Sequence, residues 1–303
     1  MFTRVEPFLL YSVSSVHAGS GSELGVVDLP IQRERHTGYP KIESSSLKGA
    51  IRSAVESQKN PAKDKIELAF GSEAGTNSEQ KSVAGALAFS DARILLFPVR
   101  SLRGVFAYVT CPYVIDRLNH DLETYSKEIP LFPVPVANTV SSDLLTVGKE
   151  NQVILEEYTY TVRNDENVQA LAERLDKLVF PTDTASGRLA SRLVVLSDDE
   201  FGDFVQMSTE VNARIKIDSK TGIVAPRALW YEENLPPETI LYSFLFAGEP
   251  RVEGETILQG ADEVVGFIKD QNVLPSVFQL GGNGTLGKGM LRRIWLTEEG
   301  AYV

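Results

Sequence analysis

The 303 residues include only one cysteine, Cys111. A single cysteine excludes an internal disulfide framework and is typical of a protein from a reducing compartment. No run of about 18 apolar residues occurs, so no membrane-spanning helix is predicted. Phe8-Leu9-Leu10 is too short for the apolar region of a signal peptide. We therefore expect a soluble, cytoplasmic protein.

The sequence also lacks an excess of basic residues, because 30 lysines and arginines stand against 41 aspartates and glutamates, a net charge of −11. A simple nucleic-acid coat protein usually has a basic surface, so this composition argues against that class. The basic residues are nevertheless concentrated locally, since residues 32–59 hold six of them against three glutamates. An acidic chain with a basic stripe can still hold a polyanion on one face. Composition alone does not decide the matter.

Five glycines lie between residues 281 and 289, with a lysine among them and two arginines just after. Glycine lets the backbone take positive φ and approach a ligand closely, so phosphate is the obvious ligand. The segment nearly matches a nucleotide-binding P-loop, but Gly289 stands where the Ser or Thr that holds Mg²⁺ is required. The β-branched and aromatic run 290–296 then predicts a strand, whereas a P-loop opens a helix. We interpret 281–289 as a glycine loop between two strands that contacts a phosphate backbone.

Hydrophobic periodicity predicts strands and helices in an irregular order. The main predicted elements are a strand ending at His17, a helix from Ser44 or Ser45 to about Gln58, a helix at about 165–178, and a hairpin of 211–217 with 223–230. This mixture is typical of an α+β fold with an antiparallel sheet in a ferredoxin-like arrangement. No linker separates two domains, so we predict a single domain over residues 1–303.

Two stretches are expected to be additions to this core. Residues 119–152 are punctuated by Pro130, Pro133 and Pro135 and are predicted to be irregular, within a long insertion at about 112–152. The polar residues 180–190 predict a second insertion, a protruding loop or hairpin tip.

Three places could carry chemistry. Lys48 lies in the first turn of its predicted helix, where a cation is poorly placed unless an anion binds there; a solvated surface lysine is the alternative. His17 ends a strand and Asp28 lies in the loop beyond it, so the pair could supply an acid, a base or a metal ligand, or only loop hydrogen bonds. Glu232 and Glu233, at the end of a strand, could present carboxylates to a site or lie at its rim.

Several segments together resemble one family. Residues 45–52 (Ser-Ser-Leu-Lys-Gly-Ala-Ile-Arg) and the glycine loop resemble the RAMP superfamily of CRISPR RNA-binding proteins. Further segments make the chain similar to the backbone subunits of the type III-B effector, the Cmr complex: Val16-His17-Ala18-Gly19-Ser20-Gly21, Asp28-Leu29-Pro30-Ile31-Gln32-Arg33-Glu34, Pro98-Val99-Arg100-Ser101-Leu102 and Ala228-Leu229-Trp230-Tyr231-Glu232-Glu233. The similarity is spread from residue 9 to residue 296.

The resemblance implies a ferredoxin-like (RRM-like) core with insertions, assembled in several head-to-tail copies along a guide RNA with other Cmr-complex subunits. It implies that the guide backbone is held by the first helix and the glycine loop, through Ser46, Lys48, Arg52, Gly281, Gly282, Gly284, Gly287 and Lys288. Residues 180–190 are then expected to form the hairpin that wedges into the duplex and displaces a base pair.

The resemblance also implies an endoribonuclease that depends on a divalent metal and cleaves the target RNA at regular intervals within the assembled complex. Asp28 stands at the place of the family's catalytic aspartate and would hold Mg²⁺ or Mn²⁺. His17 corresponds to the histidine before the glycine-serine turn, and the acidic cluster corresponds to Glu232 or Glu233, between which the sequence does not choose.

Two other functions remain open from the sequence. The chain could be a purely structural guide-binding subunit without nuclease activity, because an aspartate before Leu-Pro can equally be a turn residue. It could also be a small-molecule enzyme whose glycine loop binds a phosphate.

Overall fold

The computed structural model describes residues 2–22, 25–72, 83–181, 187–251, 257–297 and 300–302. Within these ranges there are six α-helices: α1 (Ser44–Glu56), α2 (Lys63–Phe70), α3 (Pro112–Tyr125), α4 (Glu166–Val179), α5 (Asp198–Met207) and α6 (Ala261–Lys269). The strands are β1 (Arg4–Ser12), β2 (Lys41–Ile42), β3 (Leu87–Phe89), β4 (Ala92–Arg100), β5 (Phe106–Thr110), β6 (Thr139–Val140), β7 (Gln152–Leu155), β8 (Tyr158–Thr161), β9 (Arg163–Asn164), β10 (Leu193–Val195), β11 (Glu210–Ile217), β12 (Val224–Asn234), β13 (Ile240–Ala247), β14 (Val277–Gln279), β15 (Met290–Thr297) and β16 (Gly300–Tyr302).

The main sheet has the strand order β14-β15-β1-β13-β4-β5-β10-β6-β9, and β16, β2 and β3 pair with β15, β4 and β13. Its neighbours are antiparallel except for two parallel pairs, β5 with β10 and β6 with β9. Strand β1 lies between β15 and β13, so that Leu10 is paired with both Arg293 and Leu241. The predicted α+β class, with a largely antiparallel sheet in a ferredoxin-like arrangement, is confirmed.

The core lies on both faces of this sheet. Strand β1 is buried without interruption from Glu6 to Ser12, as expected for a strand covered on two sides. Helix α1 presents Leu47, Ile51 and Val55 to the core, each at most 2% exposed. The predicted helix is therefore confirmed, with its end at Glu56. It packs beside α2, β3 and β14, which places its N-terminus near the loop that follows β1.

The prediction that residues 119–152 are irregular is wrong for residues 119–125, because α3 continues to Tyr125. Pro112 begins this helix, where its missing N–H and fixed φ are favourable. Beyond the helix the chain is tied back to it, since Asn119 Nδ2 donates to Phe132 O at 2.8 Å and Phe132 N donates to Asn119 Oδ1 at 2.8 Å. One buried amide thus satisfies both backbone groups of a residue that has no strand partner.

Two hairpins, β7–β8 and β11–β12, stand apart from the main sheet. The predicted hairpin at 211–230 is confirmed as β11–β12, with its turn at residues 218–223. Large apolar side chains project from it into solvent, namely Val211, Ile215, Ile217, Ile223, Val224 and Leu229. Of the hairpin tip predicted at 180–190, residues 182–186 lie outside the described residues. No helix in the described ranges is long and apolar enough to cross a membrane.

Replacement of Asn119 by alanine tests the link between α3 and the segment after it. Asn119→Ala leaves the buried N–H and C=O of Phe132 unpaired, so we expect the free energy of unfolding to fall by about 2 kcal/mol or more. Urea denaturation measures this loss. His120→Ala, an exposed change on the same helix, should stay within about 0.5 kcal/mol of the parent. Equal effects of the two substitutions would contradict the assignment.

Candidate active site

The end of β12 receives the loop that contains His17. Val16 and Leu235 exchange backbone hydrogen bonds of 2.9 Å in both directions, although β1 itself ends at Ser12. The imidazole Nδ1 of His17 lies 2.7 Å from the carbonyl oxygen of Glu233. A carbonyl oxygen can only accept, so Nδ1 carries the proton and Nε2 of the neutral ring is an acceptor. The ring is therefore arranged to take up a proton at Nε2.

The second loop, which contains Asp28, runs parallel to the same end of β12. Leu29 N donates to Tyr231 O at 3.0 Å, and Glu233 N donates to Leu29 O at 3.0 Å. The carboxylate oxygen Oδ2 of Asp28 accepts from Tyr231 N at 2.7 Å. Among the described residues, the other oxygen, Oδ1, accepts no hydrogen bond. Asp28 is half-buried, so this oxygen is available to a ligand at the surface.

Glu233 holds both loops against the strand. Its carboxylate is buried and accepts hydrogen bonds from Ile31 N at 3.0 Å, from Arg33 at 2.5 Å and from Thr209 Oγ1 at 2.8 Å. Its carbonyl oxygen accepts from His17. These bonds occupy the carboxylate inside the protein. Of the two adjacent glutamates, Glu233 is the one that maintains the scaffold.

Glu232 points to the opposite face of β12, toward the glycine loop. Its Oε1 accepts from Asn283 Nδ2 at 2.7 Å and lies 3.3 Å from Lys288 Nζ. Burial disfavours the charged carboxylate, but the hydrogen bonds from Asn283 and Lys288, with the charges of Lys288 and His17, outweigh it and lower the pKa of Glu232. Glu232 is therefore a buried carboxylate, ionised at neutral pH, beside His17.

The glycine loop packs on the loop of His17. Gly282 N donates to His17 O at 2.9 Å. Gly281 has φ of 87°, and a Cβ added there would lie 2.3 Å from His17 O. Gly289 has φ of 79°, and its Cβ would lie 2.1 Å from Leu280 O. These glycines are needed for contacts within the protein, whereas Gly284 and Gly287 are exposed at the short helical turn of the loop.

Lys288 points inward. Its ammonium donates to Asn234 Oδ1 at 2.9 Å and to Glu232 Oε1, and its side chain is only 16% exposed. The sequence predicted that Lys288 helps to hold the guide backbone; in the structure, two of its three N–H donors are bonded within the site. Sequence reasoning missed Asn234 and Asn283. The signal for Asn283 is its place in a glycine-rich turn, where its left-handed conformation suits asparagine.

The face of α1 that was predicted to bind RNA meets the site through Gln32, another residue that sequence reasoning missed. Gln32 Nε2 donates to Gly19 O at 3.1 Å and to Ser46 Oγ at 3.2 Å, which joins the first turn of α1 to the loop of His17. Further along the helix, Lys48 and Arg52 donate to backbone oxygens of neighbouring segments, Lys48 to Leu87 O at 2.8 Å and Arg52 to Gly71 O at 3.0 Å.

The environment of Lys48 is unusual for a surface lysine. Its side chain is half-buried, and burial together with the nearby charge of Arg52 lowers the pKa of the Lys48 ammonium. Arg52 also pairs with Glu56 at 2.7 Å. Ser46 therefore lies beside the His17 loop, while Lys48 and Arg52 form a separate basic patch on α1.

A metal ion would find few protein ligands here. The described residues contain no group of three or more histidine, cysteine, aspartate or glutamate side chains that could hold one. Mg²⁺ is often bound by only one or two carboxylates together with substrate phosphates and water. Oδ1 of Asp28 fits the part of such a single carboxylate ligand.

The chain is similar to known proteins in sequence and in fold. The model of the RAMP superfamily matches residues 9–292. The chain is 39% identical over 290 residues to the CRISPR system Cmr endoribonuclease Cmr4 of Pyrococcus furiosus, covering 93% of this chain and 92% of that protein. Oligomeric Cmr4 from Pyrococcus furiosus has a similar structure, with a TM-score of 0.70, 30% identity and coverage of 99% and 98%. A chain of the type III-B Cmr-beta complex bound to cognate target RNA shares the fold, with a TM-score of 0.72, 24% identity and coverage of 97% and 98%.

The scaffold assigned to Glu233 can be tested by unfolding. Glu233→Ala leaves Arg33, Thr209 and the amide of Ile31 without their buried partner, so we expect a loss of about 3 kcal/mol or more in the free energy of unfolding. Urea denaturation provides the measurement. Glu157→Ala removes an exposed glutamate and should change stability by less than about 0.5 kcal/mol. A Glu233→Ala protein as stable as this control would refute the role.

Proposed function

The chain belongs to the RAMP superfamily, and from that premise we propose that it is a guide-RNA-binding backbone subunit of a type III-B CRISPR effector that cleaves target RNA paired with the guide. The observation that carries this proposal is 39% identity, over 93% of the chain, to a protein named as the Cmr endoribonuclease Cmr4. The convergence of His17, Asp28 and Glu232 at the end of β12 supports it chemically.

Guide binding needs a grip on phosphates and on duplex shape, because base pairing itself reads the sequence. The first turn of α1 contains no acidic residue, and its first amide, Ser44 N, donates to Asp91 Oδ1 at 2.9 Å, so the guide would be held by the amides that follow Ser44. Helix N-termini favour anions through their amides and dipole. We assign the guide backbone to this turn, to Ser46 and to the basic patch of Lys48 and Arg52.

Cleavage would use the target's own 2′-hydroxyl as the nucleophile. The 2′-oxygen attacks the adjacent phosphorus in line as it loses its proton, and the bond to the 5′-oxygen breaks. The leaving 5′-oxygen takes a proton from water, so the products are a 2′,3′-cyclic phosphate and a 5′-hydroxyl. Nε2 of His17 is placed to take the proton of the 2′-hydroxyl, a general-base role that typically contributes about 10²–10⁴-fold. The buried charge of Glu232 would favour the imidazolium that forms.

Asp28 would act on the phosphate indirectly, through a bound cation. Oδ1 of Asp28 would hold a divalent ion, which would supply positive charge against the negative charge that develops on the phosphate during displacement. The bond from Tyr231 N to Oδ2 fixes the direction in which Oδ1 points. In this proposal Asp28 is essential for cleavage and takes no part in holding the guide.

In-line attack requires the target strand to be splayed, and the β11–β12 hairpin is a second candidate for the wedge besides the one predicted at 180–190. It exposes a row of apolar side chains, among them Ile215, Ile217 and Leu229. Apolar side chains of this kind can insert between bases and unstack them, as they do in duplex-bending proteins. Head-to-tail copies of the chain, whose contacts do not close into a ring, would repeat the wedge and the cut at a constant spacing.

Asp28→Asn provides the test of the nuclease. The asparagine can still accept from Tyr231 N, so the loop should stay in place while the charge is lost. With the reconstituted complex, labelled complementary RNA and Mg²⁺ or Mn²⁺, we expect a ladder of evenly spaced products from wild type and at least a 100-fold slower reaction from the variant, on the order expected for loss of an essential charged group.

Guide content and assembly serve as the control in the same experiment, and both should equal those of wild type. Undiminished cutting by Asp28→Asn would contradict the catalytic role and favour a purely structural guide-binding subunit. A target with a 2′-deoxy residue at the cut should resist cleavage, since it lacks the nucleophile.

RNA affinity distinguishes the proposed function from that of a small-molecule enzyme. We expect the purified protein to retain RNA and to bind it at low salt, with log affinity falling linearly as log salt rises, because phosphate contacts release counterions. Filter binding across a salt series measures the slope. Lys48→Ala and Arg52→Ala should each make that slope shallower. Absence of RNA affinity at low salt would contradict the proposal and favour a small-molecule enzyme.

A further inference from the structure

Both ends of the glycine loop, residues 281–289, are fastened to the segment that carries His17. Gly282 N donates to His17 O at 2.9 Å, and Gly289 N donates to Ser15 O at 2.8 Å. A loop that only gripped a guide RNA would need its backbone amides facing outward. Here two of these amides face the protein, so the loop forms one wall around His17.

The imidazole of His17 is packed between two glycines. A Cβ added at Gly19 would lie 2.8 Å from His17 Nε2, and one added at Gly282 would lie 3.1 Å from His17 Cδ2. Contacts this short leave no room for a side chain on either side. The position of the ring therefore depends on where the glycine loop is held.

Lys288 and Asn283 hold the loop to Glu232. The ammonium of Lys288 bridges Glu232 Oε1, at 3.3 Å, and Asn234 Oδ1, at 2.9 Å, while Asn283 Nδ2 donates to Glu232 Oε1 at 2.7 Å. The side chain of Glu232 is 4% exposed and that of Lys288 is 16% exposed. A lysine that serves a phosphate acts as an exposed point charge, but this ammonium is largely enclosed by two residues of β12.

We propose that Lys288 is a positioning residue for RNA cleavage, which anchors the glycine loop to Glu232 and thereby fixes the Glu232 carboxylate and the His17 imidazole relative to each other. This inference rests on the function proposed above. It replaces the guide-binding role that the sequence suggested for Lys288.

The central test is a double-mutant cycle in the reconstituted complex. Lys288→Met removes the charge and leaves an unbranched side chain that is one atom shorter. We expect single-turnover cleavage to slow by about 10- to 100-fold, the effect of displacing a catalytic group by roughly 1 Å. If Lys288 acts through Glu232, the double variant Lys288→Met, Glu232→Gln should be no slower than the slower single variant. Multiplied effects of the two changes would overturn the proposal.

Guide content and target affinity distinguish positioning from RNA binding. Both should match wild type in the Lys288→Met complex, as they should in a complex with Lys177→Met, an exposed lysine of α4 that should also cleave at the normal rate. If Lys288→Met loses guide RNA or binds target more weakly while bound target is cut at the normal rate, Lys288 is a guide contact and the proposal is wrong.

A second variant keeps the test open if Lys288→Met fails to fold. Asn283→Gly removes the other bond to Glu232 at a residue with φ of 61°, a conformation that glycine adopts without strain. It should slow cleavage with guide content unchanged, and a normal rate would contradict the role of the loop.

The two proposals fail in different ways. A wild-type complex that leaves the target intact refutes the nuclease function. A wild-type complex that cuts, together with an inactive Asp28→Asn and a fully active Lys288→Met, refutes only the role of Lys288.

Discussion

The structure of the site depends on one buried carboxylate, that of Glu233. Three hydrogen bonds from Ile31, Arg33 and Thr209 satisfy it. The backbone of the same residue accepts from His17 Nδ1 and donates to Leu29 O. A buried charge is costly unless it is paired in this way. The partners of the carboxylate belong to two separate segments, the one that follows Asp28 and the one just before β11, so the carboxylate is satisfied only when both segments pack on β12. The backbone of the same residue then holds the loop of His17.

In the proposed function an acidic chain binds RNA, and the distribution of its charges limits where it can do so. Much of its positive charge is engaged by neighbours, as the pairing of Arg33 with Glu233, of Arg117 with Glu34 and of Lys288 with Glu232 shows. The basic stripe at residues 32–59 is therefore less of an open surface than the sequence suggests. In the proposed function, affinity comes from a small patch on α1 and from repetition of that patch along the guide.

Local patterns predicted the parts of the fold that depend on neighbouring residues. The spacing of Leu47, Ile51 and Val55 predicted α1, and a polar turn between two β-rich runs predicted the β11–β12 hairpin. Helix α3 was not predicted, because the prolines that follow it suggested an irregular chain, although Pro112 is favourable at a helix start. The resemblance singled out His17, Asp28 and the two glutamates.

Adjacent residues could not be told apart from the sequence. Glu232 and Glu233 have the same chemistry, and their roles differ because β12 turns one toward the glycine loop and the other toward Arg33. That choice depends on which segments pack against each face of the strand. The inward direction of Lys288 likewise depends on Asn234, which is distant in sequence. Contacts of this kind become visible only in three dimensions.

Strand β12 begins in the solvent-exposed hairpin at Val224 and ends in the site at Asn234. The register of β11 with β12 shifts between Ile215 and Ile217, but from Leu229 to Asn234 the pairing is regular, and at about 3.4 Å per residue Leu229 and Glu232 are roughly 10 Å apart. In the proposed function, the residues that open the duplex and the residues that cut the target RNA belong to the same strand, so the strand sets the distance between these two points. The register of the cut would then be a property of strand length, set when the protein folds and independent of the RNA sequence.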